Sequence, residues 1–187
     1  MTEQNTPDWD ASQLLVAEYT KLREEIIKLT DLQYQLVSLT VIAFGTVLSI
    51  GFQTQQAPIV LVHPLVSLIL GLTWLHHTFR IHRIAAYIRT EVEQKVGLRT
   101  LGWEHFVQRT PLRPGRASYW SLRAVFPASS VLALASAGTL ATAEPETLVL
   151  FILSGLATVV TAVVFFAWQE PAPEARRRRV ASPGADG

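Results

Sequence analysis

The sequence predicts an all-α integral membrane protein with four transmembrane helices and a cytoplasmic helical stalk that extends the first two. Three observations predict this fold. Charged residues make up 17% of the 187 residues, against about 25% in soluble domains. No Asp, Glu, Lys or Arg occurs in residues 32–79, 124–143 or 147–169. The basic residues are confined to the segments that flank these uncharged runs.

The uncharged runs divide into four segments of about 20 residues, a length that crosses a hydrocarbon core about 30 Å thick. The first run is long enough to cross twice, with the polar sequence QTQQAP (53–58) as its turn. The four predicted spans are residues 32–52, 59–79, 123–143 and 147–168. A soluble helical bundle, with the last two spans as a buried hairpin, is the alternative. The short connector AEPE (143–146) and its uniformly apolar flanks favour the membrane.

The basic residues predict the orientation of the spans. All 16 lie before the first span, from the end of the second to the start of the third, or after the fourth, and the two short connectors contain none. By the positive-inside rule, both termini are expected in the cytoplasm of a multi-pass protein of the bacterial inner membrane. The predicted interface anchors are Trp74, Tyr119, Trp120, Trp168, Arg176, Arg177, Arg178 and Arg179.

This topology predicts five consecutive parts of the chain. They are a cytoplasmic segment with an amphipathic helix (1–31), a transmembrane hairpin (32–79), a cytoplasmic helix and loop (80–122), a second hairpin (123–168), and a disordered basic cytoplasmic tail (169–187). The tail sequence RRRR (176–179) is expected to retain the orientation near anionic lipid. Four arginines on a short tail are weak evidence for nucleic-acid binding, so no nucleic-acid partner is expected.

Two amphipathic segments predict the stalk. The segments SQLLVAEYTKLREEIIKLTD (12–31) and RIHRIAAYIRTEVEQKVG (80–97) each carry one apolar stripe at helical spacing. No Pro or Gly separates them from their spans, so both helices should continue past the membrane and pack antiparallel. The alternative is a pair of amphipathic helices lying on the lipid surface. The predicted stalk residues, available also to a partner protein or a second copy, are Leu15, Leu22, Ile26, Leu29, Ile81, Ile84, Ile88 and Val92.

Three motifs carry a resemblance to known proteins. They are YTKLREEIIKL (19–29), YIRTEVE (87–93) and GLRTLGWE (97–104). Together they resemble a bacterial family of small multi-pass membrane proteins over residues 14–104. The resemblance implies a membrane fold but no assigned activity, and it transfers no site residues. The plan of two spans with a cytoplasmic stalk is also similar to the two-helix membrane effector modules of bacterial immune systems.

The sequence TWLHHTFRIHR (73–83) raises the question of a metal or haem site. Its histidines, His76, His77 and His82, are spaced by one, five and six residues, whereas a helix aligns ligands at spacings of three or four. A zinc site needs three or four convergent ligands. We therefore interpret these histidines as interfacial groups beside Arg80 and Arg83 and expect neither a metal nor another cofactor.

The remaining chemistry predicts no enzyme. The chain has no cysteine, no glycine-rich phosphate loop, and no ionisable residue inside the spans other than histidine near their ends. Serines are present without a convincing catalytic partner, so no catalytic residue is assigned. A membrane enzyme is therefore the least supported of the functional hypotheses.

Small residues at four-residue spacing predict close helix packing within the bilayer. The predicted packing residues are Gly45, Ser49, Ser67, Gly71, Ser129, Ala133, Ala137, Ser154 and Thr158. Such rows pack the four-helix unit itself or face a neighbouring copy. The sequence favours a non-enzymatic, membrane-anchored interaction or effector subunit that acts through its stalk. The alternative is one subunit of a homo-oligomeric channel lined by hydroxyl rows or closed by a hydrophobic gate.

Overall fold

The computed structural model describes residues 11–93, 116–140 and 144–167, and every regular element in these ranges is helical. The elements are α1 (Ala11–Thr54), α2 (Ala57–Leu61), α3 (His63–Tyr87), a π-helical turn (Ile88–Val92), α4 (Arg116–Leu140) and α5 (Pro145–Ala167). Four helical stretches are long and apolar enough to cross a membrane. The predictions of an all-α fold and of four candidate spans are therefore confirmed.

The described chain separates into two compact units. The first unit comprises the described residues of Met1–Gln35 and Leu75–Leu112, and the second those of Leu36–Trp74 and Arg113–Gly187. The long helices α1 and α3 each contribute one part to each unit. The charged ends of these two helices thus belong to one unit, and most of their apolar length belongs to the other.

A tight turn joins α1 to α2 in the second unit. Gln55 adopts a left-handed backbone conformation with φ of 55°, and the N–H of Gln56 donates a 3.0 Å hydrogen bond to the carbonyl of Gly51. This six-to-one bond is the Schellman arrangement that ends many helices, and it usually has glycine at the left-handed position. The turn falls inside the predicted connector QTQQAP (53–58).

Gln55→Gly is expected to stabilise the protein by about 0.5–1 kcal/mol, because glycine adopts the left-handed conformation without steric cost. Chemical unfolding of both proteins in lipid nanodiscs measures the difference. The matched control is Gln53→Gly, at an exposed position in the last turn of α1, which should destabilise by about as much. Destabilisation by both substitutions would contradict the described turn.

The second predicted span is divided near its start. α2 ends at Leu61, Val62 forms a turn, and α3 begins at His63. Pro64 has no backbone N–H, so the carbonyl of Val60 lacks its usual helical donor and the helix is interrupted. The hydroxyl of Ser154 donates a 2.5 Å hydrogen bond to the carbonyl of Leu61 beside this break. The predicted span over residues 59–79 did not include the interruption, although Pro64 is its signal.

The second unit has a core of small and branched side chains. α2 packs against α4 and α5, and α4 packs against α5. Alanines one turn apart on α4 permit this close approach. The buried cluster consists of Ala57, Val60, Leu61, Ala133 and Ala137.

An aromatic cluster fills another part of the second unit. The ring centroids of Phe126 and Phe165 are 5.3 Å apart, and those of Trp74 and Phe165 are 5.9 Å apart. All three side chains are buried. The glycine at position 71 lies against them, because a Cβ atom built there would be 2.9 Å from Cε2 of Phe165. The guanidinium carbon of Arg123 lies 6.0 Å from the centroid of the Trp74 ring, within the range of a cation–π contact.

Three buried serines surround one backbone carbonyl of α4. The hydroxyls of Ser67, Ser129 and Ser130 donate to the oxygen of Phe126 over 2.9, 3.1 and 2.9 Å. Ser67 belongs to α3, so its bond ties two helices together. In an apolar interior an unpaired hydroxyl is costly, so these bonds also satisfy the serines within the unit.

Candidate functional site

The first unit contains a pair of antiparallel helices, the charged helix pair, formed by residues 11–35 of α1 and residues 75–93. Three polar contacts join its members. Gln33 donates to the hydroxyl of Thr78 over 2.6 Å, Arg80 contacts Glu25 at 2.5 Å, and the hydroxyl of Tyr87 donates to Glu18 over 2.7 Å. Rising numbers on one helix meet falling numbers on the other, so the two helices run in opposite directions.

Apolar burial holds the charged helix pair more firmly than its ion pair does. The side chains of Arg80 and Glu25 are 46% and 41% exposed, and an ion pair so open to solvent contributes about 0–1 kcal/mol. Leu29, Ile88 and Val92 are almost completely buried. Burial of these apolar side chains therefore contributes more to stability than the exposed ion pair does.

The predicted stalk residues occupy the covered side of the charged helix pair. Leu29, Ile88 and Val92 are buried, and the others are half-buried: Leu15, Leu22, Ile26, Ile81 and Ile84. The apolar stripes found in the sequence are thus largely used within the unit. A partner that met these residues would have to compete with contacts inside the chain.

A cleft of about 330 Å³ opens on the charged helix pair. It is lined by Leu22, Glu25, Arg80, Arg83, Ile84 and Tyr87. The guanidinium carbon of Arg83 lies 5.9 Å from the centroid of the Phe79 ring. Tyr87 lies eight residues past the predicted end of the span at Phe79. The hydrogen bond to Glu18, together with the negative charge of that carboxylate, raises the pKa of the Tyr87 phenol. The phenol therefore stays protonated and continues to donate to Glu18 at neutral pH.

A separate exposed face of α1 carries aliphatic side chains. Val16 and Ile27 are each 62% exposed. Their separation of eleven residues is close to three helical turns, so both lie on the same face of α1. Leu14, also exposed, lies about two-fifths of a turn around the helix from Ile27 and therefore belongs to another face. The predicted stripe followed a seven-residue repeat that contains neither Val16 nor Ile27, so the sequence prediction missed this face.

The histidines of TWLHHTFRIHR do not converge with other ligands in the part of the chain that the structure describes. The rings of His76 and His77 meet edge to face with centroids 6.2 Å apart, and His82 is half-buried. Within the described ranges, no group of three or more His, Asp or Glu side chains is placed to hold a metal ion.

A fourth histidine, His63, is buried in the second unit beside the helix break. Its ring centroid lies 5.1 Å from that of Phe44. Neither ring nitrogen has a hydrogen-bond partner in the described part of the chain. A lone buried imidazole packed on an aromatic ring does not make a catalytic or metal site.

The predicted helix-packing residues fall into two groups. Gly45 and Ser49 lie on an exposed face of α1, and a Cβ atom at Gly45 would meet nothing within 4 Å. Two of the buried residues bond to neighbouring helices, Ser67 to Phe126 and Ser154 to Leu61, and Gly71 contacts Phe165. The buried group is Ser67, Gly71, Ser129, Ala133, Ala137, Ser154 and Thr158.

Among the predicted interface anchors, the structure describes the side chain of Trp74 alone. That side chain is 7% exposed and lies among aromatic rings inside the second unit. The other predicted anchors fall outside the described side chains: Tyr119, Trp120, Trp168, Arg176, Arg177, Arg178 and Arg179.

No protein-family model, curated protein or solved structure matches this chain. The features of this chain that bear on function are the charged helix pair, its cleft and its exposed face.

Proposed function

We propose that the chain is a non-enzymatic, membrane-anchored interaction or effector subunit. In this proposal the second unit lies in the bacterial inner membrane, both termini are cytoplasmic, and the charged helix pair is the stalk. The location of all 16 basic residues outside the two short connectors supports the orientation. The resemblance of residues 14–104 to small multi-pass bacterial proteins is compatible with this arrangement.

The exposed Val16–Ile27 face is the observation that carries the proposal. In the proposed topology these residues precede the first span and face water, where exposed aliphatic side chains at helical spacing are a feature of contact surfaces. The residues of the predicted stripe, by contrast, are buried or half-buried. We therefore assign the partner surface to Val16 and Ile27.

A homo-oligomeric channel remains the second candidate function, with one supporting feature. Gly45 and Ser49 expose a row of small residues on α1, and the hydroxyl of Ser49 accepts a 2.8 Å hydrogen bond from Gln53. The hydroxyls of Ser67, Ser154 and Thr158 instead donate to carbonyls within the second unit. A pore between copies would thus have few hydroxyls to line it, which favours the interaction subunit.

Ile27→Asp is expected to abolish capture of a soluble cytoplasmic partner, because a carboxylate at the centre of an apolar contact is costly to bury. Tagged protein in lipid nanodiscs is crosslinked with cell lysate, and the enriched protein is identified by mass spectrometry. A loss of about tenfold or more is expected for Ile27→Asp and for Val16→Asp.

Leu14→Asp is the matched control, since it introduces the same charge at an exposed leucine on another face of α1. Capture by this variant should equal that of the wild type. Asp at Leu22 or Ile84 is less informative, because both are half-buried within the charged helix pair. If all the Asp variants capture equally and the protein conducts ions in liposomes, the channel becomes the better proposal.

A further inference from the structure

The side chains that line the cleft on the charged helix pair include two arginines and one carboxylate. Arg80 is paired with Glu25, so those two charges offset each other. Arg83 stacks on Phe79 but makes no ion pair with any residue in the described part of the chain. Tyr87 is occupied with Glu18. The side chain of Arg83 therefore leaves guanidinium N–H donors for an anion, and Arg80 retains donors that Glu25 does not use.

In the proposed topology, on which this inference rests, the cleft lies at the level along α3 where a membrane has its phosphates. Arg80 and Arg83 are one and four residues past Phe79, the last residue of the predicted span. At about 1.5 Å per residue they lie about 1.5 and 6 Å beyond it. The headgroup region on each side of a bilayer is roughly 5–7 Å thick, so the backbone positions of both arginines lie within it.

We propose that this cleft binds the phosphate of an anionic phospholipid headgroup, with Arg83 as the principal donor and Arg80 as the second. The planar guanidinium donates two parallel hydrogen bonds to phosphate oxygens, a geometry that lysine cannot reproduce. Leu22 and Ile84 form the apolar part of the cleft lining. A lipid with a second, cationic headgroup charge is disfavoured, because that charge would lie beside the surplus positive charge of the cleft.

A lipid accounts for the cleft better than a soluble anion or a protein segment. The phosphate of a lipid is held at the height of Arg83 by the bilayer itself, so binding requires little further loss of freedom. The half-exposed ring of Phe79 lies directly under Arg83 and suits the border between acyl chains and headgroups. The inference goes beyond the proposed function, because lipid retention needs no partner protein.

Native mass spectrometry of the full chain with equimolar phosphatidylglycerol and phosphatidylcholine tests the proposal. The wild type is expected to retain one phosphatidylglycerol in preference to phosphatidylcholine. Arg83→Gln should weaken this retention by about tenfold or more, the usual effect of losing charge-assisted hydrogen bonds, and Arg83→Lys should give an intermediate loss.

Arg89→Gln is the matched control, because it removes the same charge six residues further along the chain and outside the cleft. Its retention of phosphatidylglycerol should stay within about twofold of the wild type. Circular dichroism confirms that each variant is folded. Equal losses in the two Gln variants would overturn the site in favour of general surface charge.

Two further results would also overturn the proposal. Displacement of the lipid by millimolar inorganic phosphate would assign the cleft to a soluble anion. Absence of any preference for phosphatidylglycerol in the wild type would indicate that the cleft binds a protein segment rather than a lipid. Partner capture by the Val16–Ile27 face is measured separately, so failure of either idea does not decide the other.

Discussion

Phe165→Ala is expected to lower the free energy of unfolding in lipid nanodiscs by about 2–4 kcal/mol, the largest single effect predicted for this protein. Phe165 is 2% exposed, and its ring contacts those of Trp74 and Phe126. Alanine would leave a cavity bordered by these rings and by Gly71. In the proposed membrane location the cost falls below that of a similar change in a soluble core, because lipid is as apolar as the helix interior and the loss is mainly one of packing.

Phe166→Ala supplies the matched control for this prediction. Phe166 is the next residue of α5, is 62% exposed, and removes the same number of atoms when it is replaced. Because most of its side chain is exposed, this substitution should lower the free energy of unfolding by clearly less than Phe165→Ala does. Denaturant titration of the nanodisc-embedded proteins compares the two variants. Equal losses would mean that α5 is rotated from the described orientation or that Phe166 packs against another copy.

Gly51→Ala is expected to destabilise the protein by about 1–3 kcal/mol, because the position has no room for a side chain. A Cβ atom at Gly51 would overlap Cγ2 of Val60, which is completely buried in the core of the second unit. Val60 is β-branched and has little rotamer freedom, so the strain must be relieved by separating α1 from α2. The free energy of unfolding in nanodiscs measures the effect.

Val60→Ala should partly rescue Gly51→Ala, which makes this prediction specific to one contact. Val60→Ala alone leaves a cavity and is destabilising. In the double variant the new methyl group at position 51 occupies part of that cavity. The free energy lost by the double variant should therefore be smaller than the sum of the two single losses, by about 0.5–3 kcal/mol. Gly45→Ala, at a glycine with open space, should be nearly neutral. Strict additivity of the two losses would contradict the described contact.

Several features of the fold could be predicted because they depend on composition along the chain. Three uncharged runs, the first long enough to cross a bilayer twice, predict four spans, and the turn at Gln55 falls inside the polar connector QTQQAP. Glu18 and Glu25, in the first amphipathic segment, contact Tyr87 and Arg80 in the second. These features depend only on the order of residues along the chain, so they can be read from the sequence.

Other features could not be predicted because they depend on which helix faces which. Gly45 and Gly71 have the same sequence signature, yet one lies in open space and the other against an aromatic cluster. Phe165 and Phe166 are chemically identical neighbours with opposite burial. The apolar positions of the charged helix pair divide in the same way, since Leu29 is buried while Ile27 is exposed.

The sequence by itself determined the helical class, the number of candidate spans and the positions of charge, because charge cannot be hidden within a bilayer and apolar length must match its thickness. The tertiary structure alone decided the partners of each side chain. It paired Arg80 with Glu25, left Arg83 without a carboxylate among the described residues, and exposed Val16 and Ile27. Those outcomes follow from the rotation and register of packed helices, which many sequences with the same hydropathy pattern would set differently.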